Sequence, residues 1–289
     1  MVGEVHKQVK DMIKVNDYLV NVDHFPDGTQ CVRFPVSPDD VLRNSDIRHP
    51  NNILWCYDSD EEMFTMACVV DWIRRRVGIH VILNLSMPYL PNARMDRIKN
   101  ANENFSLRVF ANFINSLKFD SVQVFNVHSN VSEALINNIC NVSPNSDVDL
   151  VIRRYNPDII FFPDEGACKR YTDLQAVKWS DCPVTFGIKK RDWHSGEILG
   201  LDVISDTDLT GKKVLIVDDI CSAGGTFKFS AMKLKEMGAA DVALYVSHCE
   251  DNIQNGVLLK SDLISKIYTT DSILHIEDPK IQIVHNFRK

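Results

Sequence analysis

Residues 214–226 read VLIVDDICSAGGT: a run of branched apolar residues, adjacent carboxylates at Asp218 and Asp219, a short loop holding Gly224 and Gly225, then helical period over 225–237. An apolar run of this kind is expected to be a buried strand, and the change of period after the glycines marks a strand-loop-helix unit. Each part suits a phosphorylated ligand. Glycines without a Cβ let backbone N–H groups close around a phosphate, and the following helix N-terminus adds unpaired donors and the positive end of the helix dipole. The acidic pair offers acceptors to vicinal ribose hydroxyls and can help hold a divalent cation through water. A solvated strand end followed by ordinary turn glycines is the plain alternative. The coincidence of acidic pair, loop length and context favours the ligand site.

Working outward, apolar runs rich in β-branched residues recur at 80–85, 121–127, 158–162, 183–188, 213–217, 241–247 and 280–285. Helical periodicity lies between them at 61–76, 104–117, 132–139 and 225–237. Alternation of strand and helix predicts parallel α/β architecture of the doubly wound kind, with ligands at the carboxyl ends of strands. The segment 142–149, VSPNSDVD, concentrates Ser, Asn, Asp and Pro and is expected to be a linker or long turn. It divides the chain into an N-terminal domain, 1–145, and a C-terminal domain, 146–289.

The chain has 289 residues, 45% of them hydrophobic, enough to bury a core in each of two domains. A net charge of -7 and the absence of a basic run argue against a nucleic-acid partner. The N-terminal MVGEVHKQVKDMIKV mixes charges into its apolar positions, and no window approaches a membrane span, so a cytoplasmic protein without membrane association is expected. The eight cysteines are scattered with no CxxC pair, which predicts reduced and mostly buried thiols. There is no GxxxxGK[ST] phosphate loop.

The 214–226 stretch resembles the motif that binds phosphoribosyl pyrophosphate (PRPP) in type I phosphoribosyltransferases and PRPP synthetases. The rest of the chain favours the synthetase branch, ribose-phosphate pyrophosphokinase. FPDGTQCVRFP at 25–35 resembles that family's N-terminal nucleotide-contacting segment, which would set Phe25 and Asp27 against adenine. PYLPNARMDR at 88–97 resembles its second ATP segment, with Arg94 placed to pair bidentately with phosphate and Asp96 to orient it. His128, in FNVHSN, then matches a position that serves the magnesium of MgATP. Asp164, Gly166 and Arg170, in FFPDEGACKR, match the diphosphate-binding loop, with Asp164 as a second metal position. FGIKKR at 186–191, followed by DWHSGE, resembles the catalytic flexible loop and makes Lys189 and Arg191 the catalytic cations. Mobile cations suit the charge that develops as a phosphoryl group passes in line between two oxygens. Asp218, Asp219, Ser222, Ala223, Gly224, Gly225 and Thr226 would hold the ribose phosphate.

The resemblance spans about residues 18–285 and implies two phosphoribosyltransferase-type domains, each a largely parallel sheet flanked by helices. It also implies Mg2+-dependent transfer of a diphosphoryl group from ATP to the anomeric 1-hydroxyl of ribose 5-phosphate, giving PRPP and AMP, in a homo-oligomer, a dimer or hexamer. Departures from the family pattern bear on substrate. Thr29 follows PDG where an acidic residue is usual, Met95 replaces a glutamine, and Asn126 and Val127 precede His128 in place of Asp-Leu. Ser222 and Ala223 stand in place of Asp-Thr. The lost carboxylate leaves ADP-ribose, whose 5-phosphate is a diester, as a second acceptor behind ribose 5-phosphate, as for divergent members in NAD salvage. Two rivals are an inert PRPP-synthetase-associated subunit and a PRPP-consuming phosphoribosyltransferase. Retention of Lys189, Arg191, His128, Asp218 and Asp219 speaks against the first, and PYLPNARMDR with the large N-terminal half against the second.

Overall fold

The computed structural model describes residues 12–34, 37, 41–42, 50–191 and 198–289. They fall into two compact units, residues 1–142 with Arg288 and residues 143–287 with Lys289.

In the first unit β1 (Met12–Val15) pairs antiparallel with β2 (Tyr18–Leu19), while β3 (Asn21–His24) and β4 (Gln30–Arg33) form a separate hairpin. Then follow β5 (Asn51–Cys56), α1 (Glu62–Val77), β6 (Leu83–Met87), α2 (Ser106–Ser116), β7 (Ser121–Phe125), α3 (Val131–Leu135) and β8 (Ile139–Val142). The sheet order is β2-β1-β5-β6-β7-β8, with β5 to β8 parallel. Apolar residues at helical spacing explain the helices that cover it: Met66, Val69, Val70 and Ile73 on α1, and Leu107, Phe110, Ala111 and Ile114 on α2, are all buried.

The second unit contains α4 (Asn145–Tyr155), β9 (Ile159–Phe162), α5 (Glu165–Tyr171), α6 (Gln175–Lys178), β10 (Val184–Arg191), β11 (Ile198–Ile204), β12 (Lys213–Cys221), α7 (Gly225–Glu236), β13 (Asp241–Cys249), β14 (Lys266–Thr270) and β15 (Ile281–His285). The order is β11-β10-β9-β12-β13-β14-β15, parallel except where β11 returns beside β10. Alternation along β12 sorts its side chains to two helix-covered faces. Val214 and Ile216 pack with Phe227, Ala231 and Leu234 of α7, and Leu215 and Val217 with Val148 and Val151 of α4 and Tyr171 of α5. A strand buried on both faces needs the continuous apolar run that VLIV supplies. From β9 the chain first moves to β10 and later resumes on the other side at β12. The strand order reverses between those two carboxyl ends, the position where open α/β sheets bind ligands.

Several sequence expectations are corrected. Segment 142–149 does contain the boundary between the two units, at 142/143, but the turn is shorter than expected, because β8 ends at Val142 and α4 begins at Asn145. Pro, Asn, Ser and Asp mark helix N-termini as readily as turns. The helical period at 132–139 is broken after Leu135: Ile136 is extended, and Asn138, at φ 57°, turns the chain into β8. The strand expected at 80–85 spans Leu83–Met87. Of the eight cysteines, all free, only Cys56, Cys221 and Cys249 are buried. Among the described residues no helix is long and apolar enough to cross a membrane.

Candidate functional site

In the second unit the ladder between β12 and β13 continues through Cys221 opposite Cys249, so Asp218 and Asp219 lie within the strand and not beyond its end. Asp219 is buried and ion-paired with Arg170 from the last turn of α5. Its backbone N–H donates to Asp218 Oδ1 at 2.9 Å. The carboxylates therefore differ in environment, one fixed by a cation and the other half-buried at the strand surface.

The loop that follows is shaped by two different glycines. Gly224 has φ +81°, and a Cβ there would stand 2.4 Å from Leu258 Cδ1, so the fold itself requires glycine. Gly225 opens α7 with helical geometry, and a Cβ there would meet nothing within 4 Å. Nothing among the described residues accounts for that glycine; the close approach of a ligand to its backbone would. Beneath the loop, Asn252 Nδ2 donates to Ser222 Oγ at 2.9 Å. A Cβ on Gly256 would fall 1.9 Å from the Ala223 carbonyl oxygen. Asn252, Gly256 and Leu258 shape this site yet carried no signal of their own in the sequence beyond the Asn-Gly at 255–256.

Asp164 follows β9 as the N-cap of α5, its carboxylate accepting from Ala167 N–H at 2.9 Å. Gly166 spares this cap, since a Cβ there would press to 3.2 Å from Asp164 Oδ1. Asp164, Glu165, Phe186, Gly187, Ile188 and Ile204 line a cleft of about 360 Å³. Lys189 and Arg191 stand on β10, opposite Leu201 and Ile198, where a flexible loop was expected. The alternation of Val184, Phe186 and Ile188 with polar or small neighbours carries the strand into the basic run. Segment 192–197 and the side chains of Lys189 and Arg191 lie outside the described residues.

In the first unit Phe25, 52% exposed, and Asp27 occupy the turn between β3 and β4. Asp27 Oδ1 accepts from Thr29 N–H at 3.0 Å and Thr29 Oγ1 at 2.7 Å, which holds the carboxyl below the usual range. Thr29 is thus a partner of the turn. Arg94 is exposed in the turn before Asp96. Asp96 binds the guanidinium of Arg97 bidentately, at 2.7 and 3.0 Å. Ser129 Oγ donates to Asp96 Oδ2 at 2.7 Å. The bond from Arg97, that from Ser129, and the charges of Arg97 and His128 pull the Asp96 carboxyl down to about 2. His128 follows β7 and is half-buried. Asn126 supports this turn at φ 44°, a conformation that asparagine tolerates, and its N–H donates to the Val142 carbonyl at 2.9 Å. Asp96, Arg97, His128 and Ser129 thus form one cluster in this unit, while Arg170, Asp218, Asp219 and 222–226 form another in the second.

Among the described residues no group of three or more His, Cys, Asp or Glu side chains converges as a metal cage. Magnesium ordinarily keeps several waters and takes one or two carboxylates together with substrate phosphates. Oxygen donors at Asp164 and Asp218 fit such a cation in kind; the imidazole of His128 fits it less well.

Residues 150–282 match the phosphoribosyl transferase domain family. The chain is 26% identical over 258 residues to the ribose-phosphate pyrophosphokinase of Pyrococcus abyssi, covering 86% of this chain and 83% of the relative. It is 24% identical over 278 residues to that of Vibrio cholerae, covering 94% and 84%. The phosphoribosylpyrophosphate synthetase structure from Mycobacterium smegmatis superposes with a TM-score of 0.73 at 18% identity, covering 94% of this chain and 87% of that one, a likeness of fold.

Proposed function

Starting from a chain that belongs to the ribose-phosphate pyrophosphokinase family as a divergent member, we propose that it transfers a diphosphoryl group from ATP to the anomeric hydroxyl of a 5-phosphorylated ribose, releasing AMP. The observation that carries this reading is the β12-loop-α7 unit, with its acidic pair and a Gly225 that packing among the described residues does not require. In this reading the backbone N–H groups of 224–226 and the hydroxyls of Ser222 and Thr226 take the acceptor's 5-phosphate. Asp218 accepts from the ribose hydroxyls, while Arg170 keeps Asp219 fixed beside it. ATP belongs with the first unit, at Phe25, Asp27, Arg94 and the Asp96–His128 cluster.

The reaction needs no covalent enzyme intermediate. The chain's task is alignment: the acceptor's 1-oxygen bonds to the β-phosphorus as the bond from that phosphorus to the AMP oxygen breaks, and the hydroxyl proton is lost to solvent or a nearby base. Lys189 and Arg191 stabilise the charge developing on the transferred group. Magnesium, when bound through the phosphates with Asp164, Asp218 or His128 nearby, supplies charge neutralisation. Assembly as a dimer or hexamer belongs to the same reading. A second acceptor, ADP-ribose, is favoured by one specific observation: the neutral Ser222 hydroxyl held by Asn252 where the family usually places a carboxylate.

The test is AMP release from ATP, followed chromatographically, with ribose 5-phosphate and ADP-ribose offered separately. AMP formation with either acceptor is expected. Lys189→Ala or Arg191→Ala is expected to lower kcat by about 100-fold with ATP binding retained. No AMP with either acceptor overturns the proposal and returns the chain to the inert subunit.

A further inference from the structure

The hydroxyl of Ser222 is addressed from outside its own loop. Asn255 Nδ2 donates to Asn252 Oδ1 at 2.9 Å, and Asn252 Nδ2 donates to Ser222 Oγ at 2.9 Å. This relay has a direction, because an amide whose oxygen is occupied presents its NH2 group on the other side. A hydroxyl has one proton and two acceptor sites. With one acceptor site taken by Asn252, Ser222 retains its proton for a further acceptor, and an anion is the strongest available.

The platform behind the relay is firmly held. Asp251 accepts from the backbone N–H of His275 at 2.6 Å, and its other oxygen lies 2.9 Å from His275 Nδ1. Ile253 and Leu258 are fully buried. Gly256 lets the Ala223 carbonyl approach closer than any side chain would permit. The loop and the segment 251–258 therefore pack as one piece.

We infer that Asn252 is a positioning residue for the acceptor: it directs the Ser222 O–H toward the 5-phosphate, so the segment after β13 helps set which phosphorylated ribose is taken. This rests on the reading of 222–226 as the acceptor's phosphate loop. A neutral hydroxyl placed this way donates to a phosphate, where a carboxylate would repel it unless a metal or a proton were shared.

The experiment compares the full chain with Asn252→Ala and Asn252→Asp, using ribose 5-phosphate and ADP-ribose as acceptors at saturating ATP. Asn252 is exposed, so both variants are expected to melt close to the parent. Asn252→Ala is expected to raise the acceptor KM by about fivefold, the scale of one hydrogen bond, with the KM for ATP unchanged. Asn252→Asp keeps the size and the contact but accepts the Ser222 proton and adds a negative charge. It is expected to raise the acceptor KM by about tenfold or more. A residue that only buttressed the loop would give the opposite order, with Asn252→Asp near the parent, and that order overturns the inference. So does an equal rise in both KM values.

If the parent forms no AMP with either acceptor, the proposed reaction fails, and the inference is read from calorimetric titration with the two acceptors alone. Affinity falling from parent to Asn252→Ala to Asn252→Asp sustains it. Equal affinity in all three, or no binding to the parent, overturns it.

Discussion

The guanidinium of Arg170 on α5 is ion-paired with the carboxylate of Asp219 on β12, a side chain only 5% exposed. One member of the acidic pair is thereby charged and oriented by the chain itself. Arg170 lies six residues after Asp164, the cap of α5, so the helix that opens beside the 360 Å³ cleft also closes on the acidic strand.

Arg170→Met removes a cation paired with the buried carboxylate. Breaking such a pair costs roughly 3–5 kcal/mol when both groups are buried, and Arg170 is 30% exposed, so a loss of about 3 kcal/mol is expected. Adding Asp219→Asn removes the buried charge as well and should recover most of it. Urea unfolding measures both variants; a change under about 0.5 kcal/mol for Arg170→Met would show the pair to be ornamental to the fold.

The adjacent glycines make a paired test of structure against ligand binding. Gly224→Ala forces a left-handed residue to carry a Cβ and drives it into Leu258, and a loss of about 2–4 kcal/mol is expected. Gly225→Ala has open space and gains helix propensity, so stability should hold or rise by about 0.5 kcal/mol. Its acceptor KM should nevertheless rise by about tenfold, because the methyl occupies the space over the backbone where a phosphate would sit. Melting curves and acceptor titrations separate the two effects. An unchanged acceptor KM in Gly225→Ala would move the phosphate away from this turn.

Legibility in the sequence followed the range of the interactions. The β12-loop-α7 unit was readable because its signals are local: four apolar residues, an acidic pair, and adjacent glycines at the turn into the helix. Segment 142–149 marks the boundary between the units, but its turn is only Ser143 and Pro144, because the residues that cap helices also make turns. Ile136 and Ile139 lie three apart and imitate a helical period, although a positive-φ asparagine separates them. Lys189 and Arg191 were assigned to a loop because their charges mask the alternation that continues β10. Asn252, Gly256 and Leu258 were invisible for a different reason: each matters only through contacts with residues about 30 positions earlier, which no local pattern encodes.

Asp96 predicts a pH signature in the first unit. Its folded value of about 2 lies below the roughly 3.9 of an unfolded aspartate, so its contribution is full above about pH 5 and is lost as pH falls through about 2. Arg97 is 68% exposed, and screening reduces the nominal gain to about 1 kcal/mol. Asp96→Asn should therefore be less stable than the parent by about 1 kcal/mol near pH 7. The gap should close as the parent's carboxylate is protonated toward pH 2. Urea titrations across that range measure it, and a gap that stays constant would place the effect elsewhere.

The final prediction concerns the acceptor. A phosphate monoester near neutral pH carries close to two negative charges and three unsubstituted oxygens, whereas the proximal phosphate of ADP-ribose carries one charge and two such oxygens. Ser222 and Ala223 stand where the related family usually has Asp and Thr, and Asn252 donates to Ser222 Oγ at 2.9 Å. In Ser222→Asp the same amide would donate to a carboxylate instead, so the platform tolerates the change, while Ala223→Thr adds a hydroxyl beside the phosphate. The double variant is expected to shift the ratio of kcat/KM toward ribose 5-phosphate by about tenfold, or roughly 1.4 kcal/mol of differential transition-state binding. One hydrogen bond is of that size. The parent should use ADP-ribose at least as well as ribose 5-phosphate if the substitution at 222–223 is functional. If the parent uses ribose 5-phosphate alone and the double variant leaves the ratio unmoved, those two residues carry no acceptor preference.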